Sequence, residues 1–270
     1  MGSMRRSASL FLAAAAWLAA AGPAKAAPLR DFCPDRPGLG TPPCTMDQGH
    51  LAVELGLGDW TLTRQGGARE DDLATGDLLV RYGLTPNLEI QAGWTAYTHA
   101  RTRSGNAVAR TGGVGDVTLA LRQNLQNADG SGFSVALMPY ATLPTGSAGI
   151  GAGDWGAGLL APMSYRLPHG VTLGLTAEAD AAVDADGDGR HLAYSAIVGV
   201  DLALTGKIGA AAELEFVEDE DPTGHSAQEL AGLSLDWSPS ENVQFDVGTN
   251  IGLNRDAPDL EVYFGVARRF

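Results

Sequence analysis

The chain reads as all-β: a 12-stranded antiparallel transmembrane β-barrel with short periplasmic turns and longer extracellular loops. Three observations predict it. From Gly49 onward, twelve segments alternate apolar with polar or small residues, the period of a strand with one face in lipid and the other in water. The connections between them alternate between tight turns and longer polar links, as in a membrane barrel and unlike a soluble sandwich. The last segment, 260–270, keeps its alternation up to a terminal phenylalanine, Phe270, and so points to the bacterial outer membrane.

Taken in order, Met1-Gly2-Ser3 reads as a cloning scar. Arg5-Arg6, an apolar run over 10–21 and Ala24-Lys25-Ala26 then make a secretory signal peptide, with cleavage expected after Ala26. The run is shorter than the roughly 20 apolar residues of a membrane-spanning helix, and Gly22-Pro23 follows it. Losing Arg5, Arg6 and Lys25 takes the formal charge from −14 to −17, so nucleic acid and anionic lipid are poor partners. No later stretch approaches 18 continuous apolar residues, so insertion into a membrane must be by barrel.

Residues 27–47 form a separate, proline- and glycine-rich periplasmic N-terminal segment, and 48–270 the barrel. Cys33 and Cys44 are the two cysteines of the chain, and an even count in an exported protein suggests a disulfide between them. No lipobox precedes Cys33, and two thiols without clustered histidines make a poor metal site.

The twelve strand segments begin at Leu51, Leu78, Leu88, Val117, Phe133, Trp155, Val171, Leu192, Ile208, Ala231, Val243 and Leu260. An even number returns both ends of the barrel to one side. Turn chemistry at 85–87, 127–130, 168–170, 205–206 and 238–242 marks the short connections; 63–72, 99–111, 144–154, 184–190, 218–226 and 254–259 are the longer ones. Trp237, Tyr165, Tyr82 and Phe270 fall beside the short turns, and Trp60, Trp94 and Trp155 toward the long links. These are the places of two interfacial aromatic girdles.

The same alternation assigns an inward face whose charges are segregated. Asp77, Asp116, Glu178, Asp180, Glu213, Glu215 and Glu261 fall in the outer half without an inward base, an expected acidic vestibule. Glu54, Arg81, Glu89, Arg122, Arg166, Asp201, Asp236, Asp246 and Arg269 fall toward the periplasmic end, an expected salt-bridged collar. Such a lumen disfavours anions and admits neutral or cationic solutes. Inward glycines, Gly56, Gly58, Gly158, Gly174, Gly199 and Gly248 among them, favour open volume.

Asp184, Asp186 and Asp188 with Gly189 resemble the start of a calcium loop, but position 12 is Ser195 instead of a bidentate glutamate. An acidic external turn is the simpler reading. The acidic run 218–221 reads as a solvated loop, and Arg101, Arg103 and Arg110 as a basic loop able to dock on acidic neighbours. His50, His99, His169, His191 and His225 match no nucleophile or zinc spacing. Neither catalysis nor a cofactor is expected.

Four stretches carry a family resemblance. Cys33-Pro34-Asp35-Arg36-Pro37-Gly38 with 49–54, the hairpin 79–89, 113–119, and Leu143-Pro144-Thr145-Gly146 together resemble the transporter-like outer-membrane family named for the meta-cleavage pathway of phenol degradation. The resemblance spans nearly the whole mature chain. It implies an outer-membrane channel passing small solutes, aromatic or hydrophobic compounds among them. Its expected partners are outer-membrane lipid and lipopolysaccharide, the barrel-assembly machinery and the solute. Arg268 departs from the usual assembly signal, where an apolar residue is commoner. The contrasting reading is a non-conducting structural or surface-interaction barrel. In either case Asp35, Arg36, Pro37 and Gly38, inside the disulfide loop, are expected at the periplasmic mouth, with Arg36 meeting collar carboxylates such as Glu54 or Glu89.

Overall fold

A computed structural model describes residues 28–187 and 189–270; the expected signal peptide lies outside them. Thirteen strands pair in one antiparallel sheet: β1 (Leu51–Gln65), β2 (Ala68–Thr85), β3 (Leu88–Ser104), β4 (Ala107–Gly113), β5 (Val117–Gln126), β6 (Phe133–Leu143), β7 (Gly156–Leu167), β8 (Val171–Val183), β9 (Arg190–Ala203), β10 (Ile208–Asp221), β11 (Gly224–Ser240), β12 (Val243–Gly252) and β13 (Leu260–Arg269). Each strand pairs with the next except that β5 pairs with β3 instead of β4, and β13 pairs with β1, so the sheet closes. β5 pairs with the lower part of β3 over Leu88 to Trp94, and β4 with its upper part over Thr98 to Ser104. β4 and β5 therefore share one place in the wall, which makes a closed barrel of twelve. Closure leaves no unpaired sheet edge in lipid.

Burial is inverted relative to a soluble protein. Leu121, Leu137, Leu173, Val198, Leu214, Leu233, Val247 and Phe264 are all exposed, whereas Arg81, Arg122, Glu54, Glu89 and Asn124 are among the largest fully buried side chains. A hydrocarbon-facing outer surface around a polar interior is the membrane-barrel arrangement, and it places the protein in the bacterial outer membrane. Two of the expected girdle aromatics make ring contacts: Trp237 stacks on Phe245 with ring centroids 5.6 Å apart, and Arg190 covers the ring of exposed Trp155 at 3.8 Å.

Three of the expected long loops are instead strand. β1 and β2 continue to a tip at Gly66-Gly67, β3 and β4 to a tip at 105–106, and β10 and β11 to a tip at 222–223. Polar residues on both faces hid these extensions, because beyond the membrane neither face needs lipid. Arg101 and Arg110 pair across β3 and β4, and Arg101 sits opposite Asp71 of β2. Of these bases, Arg101 therefore lies beside an acid of the neighbouring strand. The connections over 144–155, 184–187 and 253–259 are irregular.

A bulge alters the inward set. The β1–β13 register runs Gly56 opposite Gly265 and then Gly58 opposite Phe264, leaving Leu57 as an extra residue. Beyond it Asp59 faces Tyr263 and Thr61 faces Glu261, so the parity of β1 reverses, as a one-residue bulge requires. Gly58 is thereby an outward residue packed under the Phe264 ring, and Asp59 becomes an inward acid that strict alternation misassigns.

Candidate functional site in the barrel lumen

Residues 31–46 contain no regular element, so their backbone groups need partners from elsewhere. The inner wall supplies them. Glu54 accepts the amides of Asp35 (2.9 Å) and Arg36 (3.0 Å), and Glu89 accepts that of Met46 (2.6 Å). Gln244 donates to the Arg36 carbonyl (2.7 Å) and Asn124 to that of Pro43 (2.8 Å). Thr176 Oγ1 accepts from the Thr41 amide and donates to the Thr41 carbonyl. The segment thus crosses the lumen from β2–β5 to β8–β13. The Cys33–Cys44 disulfide is formed, with Cα atoms 6.5 Å apart.

At its base lies a buried ion cluster. Arg81 of β2 contacts Asp35, Glu54 and Glu89, each at 3.0 Å. Arg122 of β5 holds Asp35 at 2.6 Å and Glu89 at 3.2 Å. The register explains the convergence, because Glu89 of β3 stands opposite Arg122 on one side and Gly83, two residues from Arg81, on the other. Arg81 also donates to the Cys33 carbonyl (2.8 Å) and Arg122 to that of Cys44 (3.2 Å), so the two guanidiniums grip both ends of the disulfide loop. Burial alone would raise the Asp35 carboxyl, but attraction to Arg122 and then Arg81 outweighs it and holds the group below its ordinary range.

Arg36 reaches farther. Its guanidinium binds Asp246 of β12 through Nε (3.2 Å) and Nη2 (2.9 Å) and lies over the Tyr263 ring at 5.7 Å. Asp246 is a carboxylate of the expected collar; of the two other acids named for Arg36, Glu54 takes its backbone amide, while Glu89 is occupied by Arg81, Arg122 and Met46. Gly38 follows with φ +111°, a conformation that disfavours a Cβ. A Cβ there would also meet the Glu213 carboxylate at 2.5 Å. That carboxylate accepts the amides of Leu39 (2.7 Å) and Gly40 (3.0 Å), and Tyr263 accepts that of Gly38 (3.1 Å). Asp35, Arg36 and Gly38 therefore each have a distinct contact.

The other expected site residues are distributed as follows. Glu178 accepts the Tyr140 hydroxyl at 2.6 Å, with Asp180 beside the same tyrosine. Glu261 accepts from Asn250 at 2.8 Å and lies against Asp59; Glu215 sits among Glu261, Glu178 and Glu213. Asp77 accepts from Thr95. Asp116 is not free in the vestibule: it caps the 144–155 loop by accepting the amides of Gly146 (2.6 Å) and Ala152 (2.7 Å). Arg166 stands apart from the buried cluster, half-exposed and 3.8 Å from Asp31. Arg269 binds Asp47 and Asn242. Among the inward glycines, Gly158 and Gly248 lie under the Tyr140 and Tyr263 rings, whereas Gly174 has nothing within 4 Å.

Open space is concentrated on one side. A cavity of about 260 Å³ runs between the N-terminal segment and the β7–β11 wall, lined by Pro37, Thr41, Met163, Thr176, Ile197, Asp201, Glu213 and Asp236 among others. Asp201 there lies near Glu213 and Asp236. In the calcium-like turn, Asp184 turns to His191 and Asp221, and Asp188 lies outside the described residues.

A model of the family described as "Putative MetA-pathway of phenol degradation" matches residues 34–270. Among solved structures, an outer-membrane channel from Pseudomonas putida F1 is 18% identical with TM-score 0.69, over 87% of this chain and 100% of that one. The translocator domain of autotransporter NalP from Neisseria meningitidis is 18% identical with TM-score 0.52, over 83% and 89%. The NanC porin is 12% identical with TM-score 0.51, over 81% and 98%. No curated protein matches by sequence. At these identities the solved structures establish the barrel fold, and their differing roles show that the fold alone does not choose a function.

Proposed function

Because the chain belongs to the family described as the putative MetA-pathway of phenol degradation, we propose that it is a passive outer-membrane channel for small solutes, with aromatic or hydrophobic compounds as the natural class. The observation that carries this reading is the cavity beside the N-terminal segment, where the inner wall is small or apolar at Gly174, Ile197 and Gly199 and acidic at Asp201, Glu213 and Asp236. Apolar lining with a few placed polar groups suits a neutral organic solute, and the carboxylates oppose anions. The P. putida channel is a fold neighbour consistent with this role.

The buried cluster of Arg81, Arg122, Asp35, Glu54 and Glu89 favours a second reading, a closed structural barrel, because it fills the β1–β5 side of the lumen. Swelling of proteoliposomes in neutral aromatics, sugars and anions separates the two. The channel reading expects entry of neutral aromatics ahead of anions; no permeation by any solute supports the structural barrel. In the channel reading residues 31–46 are a partial plug, and deleting them raises single-channel conductance. An unchanged current rules the plug out.

A further inference from the structure

We propose that the external ends of β8, β9 and β10 form a transition-metal site, with zinc as the best-suited ion. Its ligands are Asp184 Oδ1, His191 Nδ1 and Asp221 Oδ2. Register brings them together: Ala182 stands opposite His191 across β8 and β9, and β10 carries Asp219 opposite Ala193, two residues from Asp221. His191 Nδ1 lies 2.9 Å from Asp184 Oδ1 and 3.5 Å from Asp221 Oδ2, and the three ligand atoms all fall within 4.8 Å of one another. Zinc bonds of about 2.0–2.2 Å in a tetrahedron need ligand edges of about 3.4 Å, and the two edges at His191, 2.9 and 3.5 Å, lie close to that length.

Burial and the far side of the imidazole argue independently that these groups are more than a solvated acidic rim. The His191 side chain is 6% exposed, and those of Asp184 and Asp221 are 10% and 9%. His191 Nε2 is buried without a well-aligned hydrogen bond, and Asp219 Oδ1 lies 3.0 Å away. Without an ion, Nδ1 and Asp184 Oδ1 share a hydrogen bond and Asp221 Oδ2 accepts the Ala185 amide at 2.7 Å. With the imidazole proton on Nε2, facing Asp219, the Nδ1 lone pair and the remaining carboxylate lone pairs converge where a cation can take the place of the Nδ1 proton. The carboxylate behind the ring is the outer-shell partner that orients metal-binding histidines. Nitrogen in the ligand set selects a transition ion over calcium, which takes oxygen ligands. A bound ion would fasten Asp184 and the start of β9 to the end of β10 and stiffen that side of the external mouth.

The test is calorimetric titration of the tag-free, detergent-folded full chain with Zn2+ and with Ca2+ at neutral pH, alongside visible spectroscopy of the Co2+ form. One zinc per chain is expected, with a tetrahedral-type Co2+ band that zinc abolishes and calcium leaves unchanged. His191→Ala and the near-isosteric Asp221→Asn should each weaken zinc at least tenfold. His225→Ala should not, because Glu218, Glu220 and His225 form a separate, exposed group. Heat-modifiable gel mobility verifies that each variant is folded. Zinc binding unchanged in both His191→Ala and Asp221→Asn overturns the proposal. So does an absence of zinc binding with the His191 ring doubly protonated, which would make the group an imidazolium clamp.

Discussion

Arg81 shows why single side chains decide the lumen. Its side chain is wholly buried and contacts three carboxylates and a carbonyl, so truncating it strands Glu54 and Glu89 without their principal partner. Breaking a buried ion pair from one side costs about 3–5 kcal/mol. Arg81→Met should therefore lower the urea midpoint of the folded barrel by that equivalent, whereas Arg69→Met, at an exposed arginine paired with Asp71, should shift it little. Asp35 supplies a pH signature. Its carboxyl is held below the ordinary value of 3.8, so its contribution to docking is complete above that value and is lost as pH falls through the depressed one. Channel conductance should rise in strongly acidic buffer as the segment loosens. In Asp35→Asn that acid-dependent step should shrink; an identical acid profile in the variant would assign the release to other carboxylates.

At the scale of elements, the N-terminal segment and the wall depend on each other. The segment has no secondary structure, so docking orders its backbone only because wall side chains satisfy its amides and carbonyls. The disulfide reduces the freedom lost on docking. By loop-closure entropy a loop of this length contributes about 3 kcal/mol. Cys33→Ser with Cys44→Ser should therefore expose residues 31–46 to protease and speed their amide exchange, while strands β6 to β12 keep their protection. Equal loss of protection throughout would mean that the segment is integral to barrel folding. The β1 bulge belongs to this scale too. By adding Leu57 to one strand it turns Asp59 inward beside Glu261, where simple alternation places it in lipid.

Across the whole molecule, charge divides by height and by side. Asp35 and Glu54 with Glu89 are matched against Arg81 and Arg122, whereas Asp59, Glu178, Glu215 and Glu261 gather above them, with Arg36 reaching Asp246 between the two groups. A lumen with excess carboxylate raises the local concentration of cations and repels anions. Reversal potentials across a salt gradient should show potassium preferred over chloride. Asp59→Asn with Glu261→Gln should reduce that preference several-fold without changing the folded fraction. A chloride preference in the parent protein would sink the acidic-lumen reading.

Alternation in the sequence was enough to establish a twelve-place barrel, its lipid-facing residues and the inward side of Arg81, Glu89 and Arg122, because a strand has only two faces and lipid tolerates only one kind of residue. The disulfide was legible from cysteine count and export. Three hairpin extensions were not, since outside the membrane both faces are wetted and the pattern disappears. Asp59 was hidden by a bulge that depends on β13 as much as on β1. Tyr140 over Gly158 and Tyr263 over Gly248 fill volume that glycine count alone suggested was open, and a register is needed to pair them. Asp184, His191 and Asp221 come from three separate stretches. Face is a local property of a strand, and the sequence determined it; height, register and which charges meet across the lumen arise only when the sheet closes, and the tertiary structure decided those.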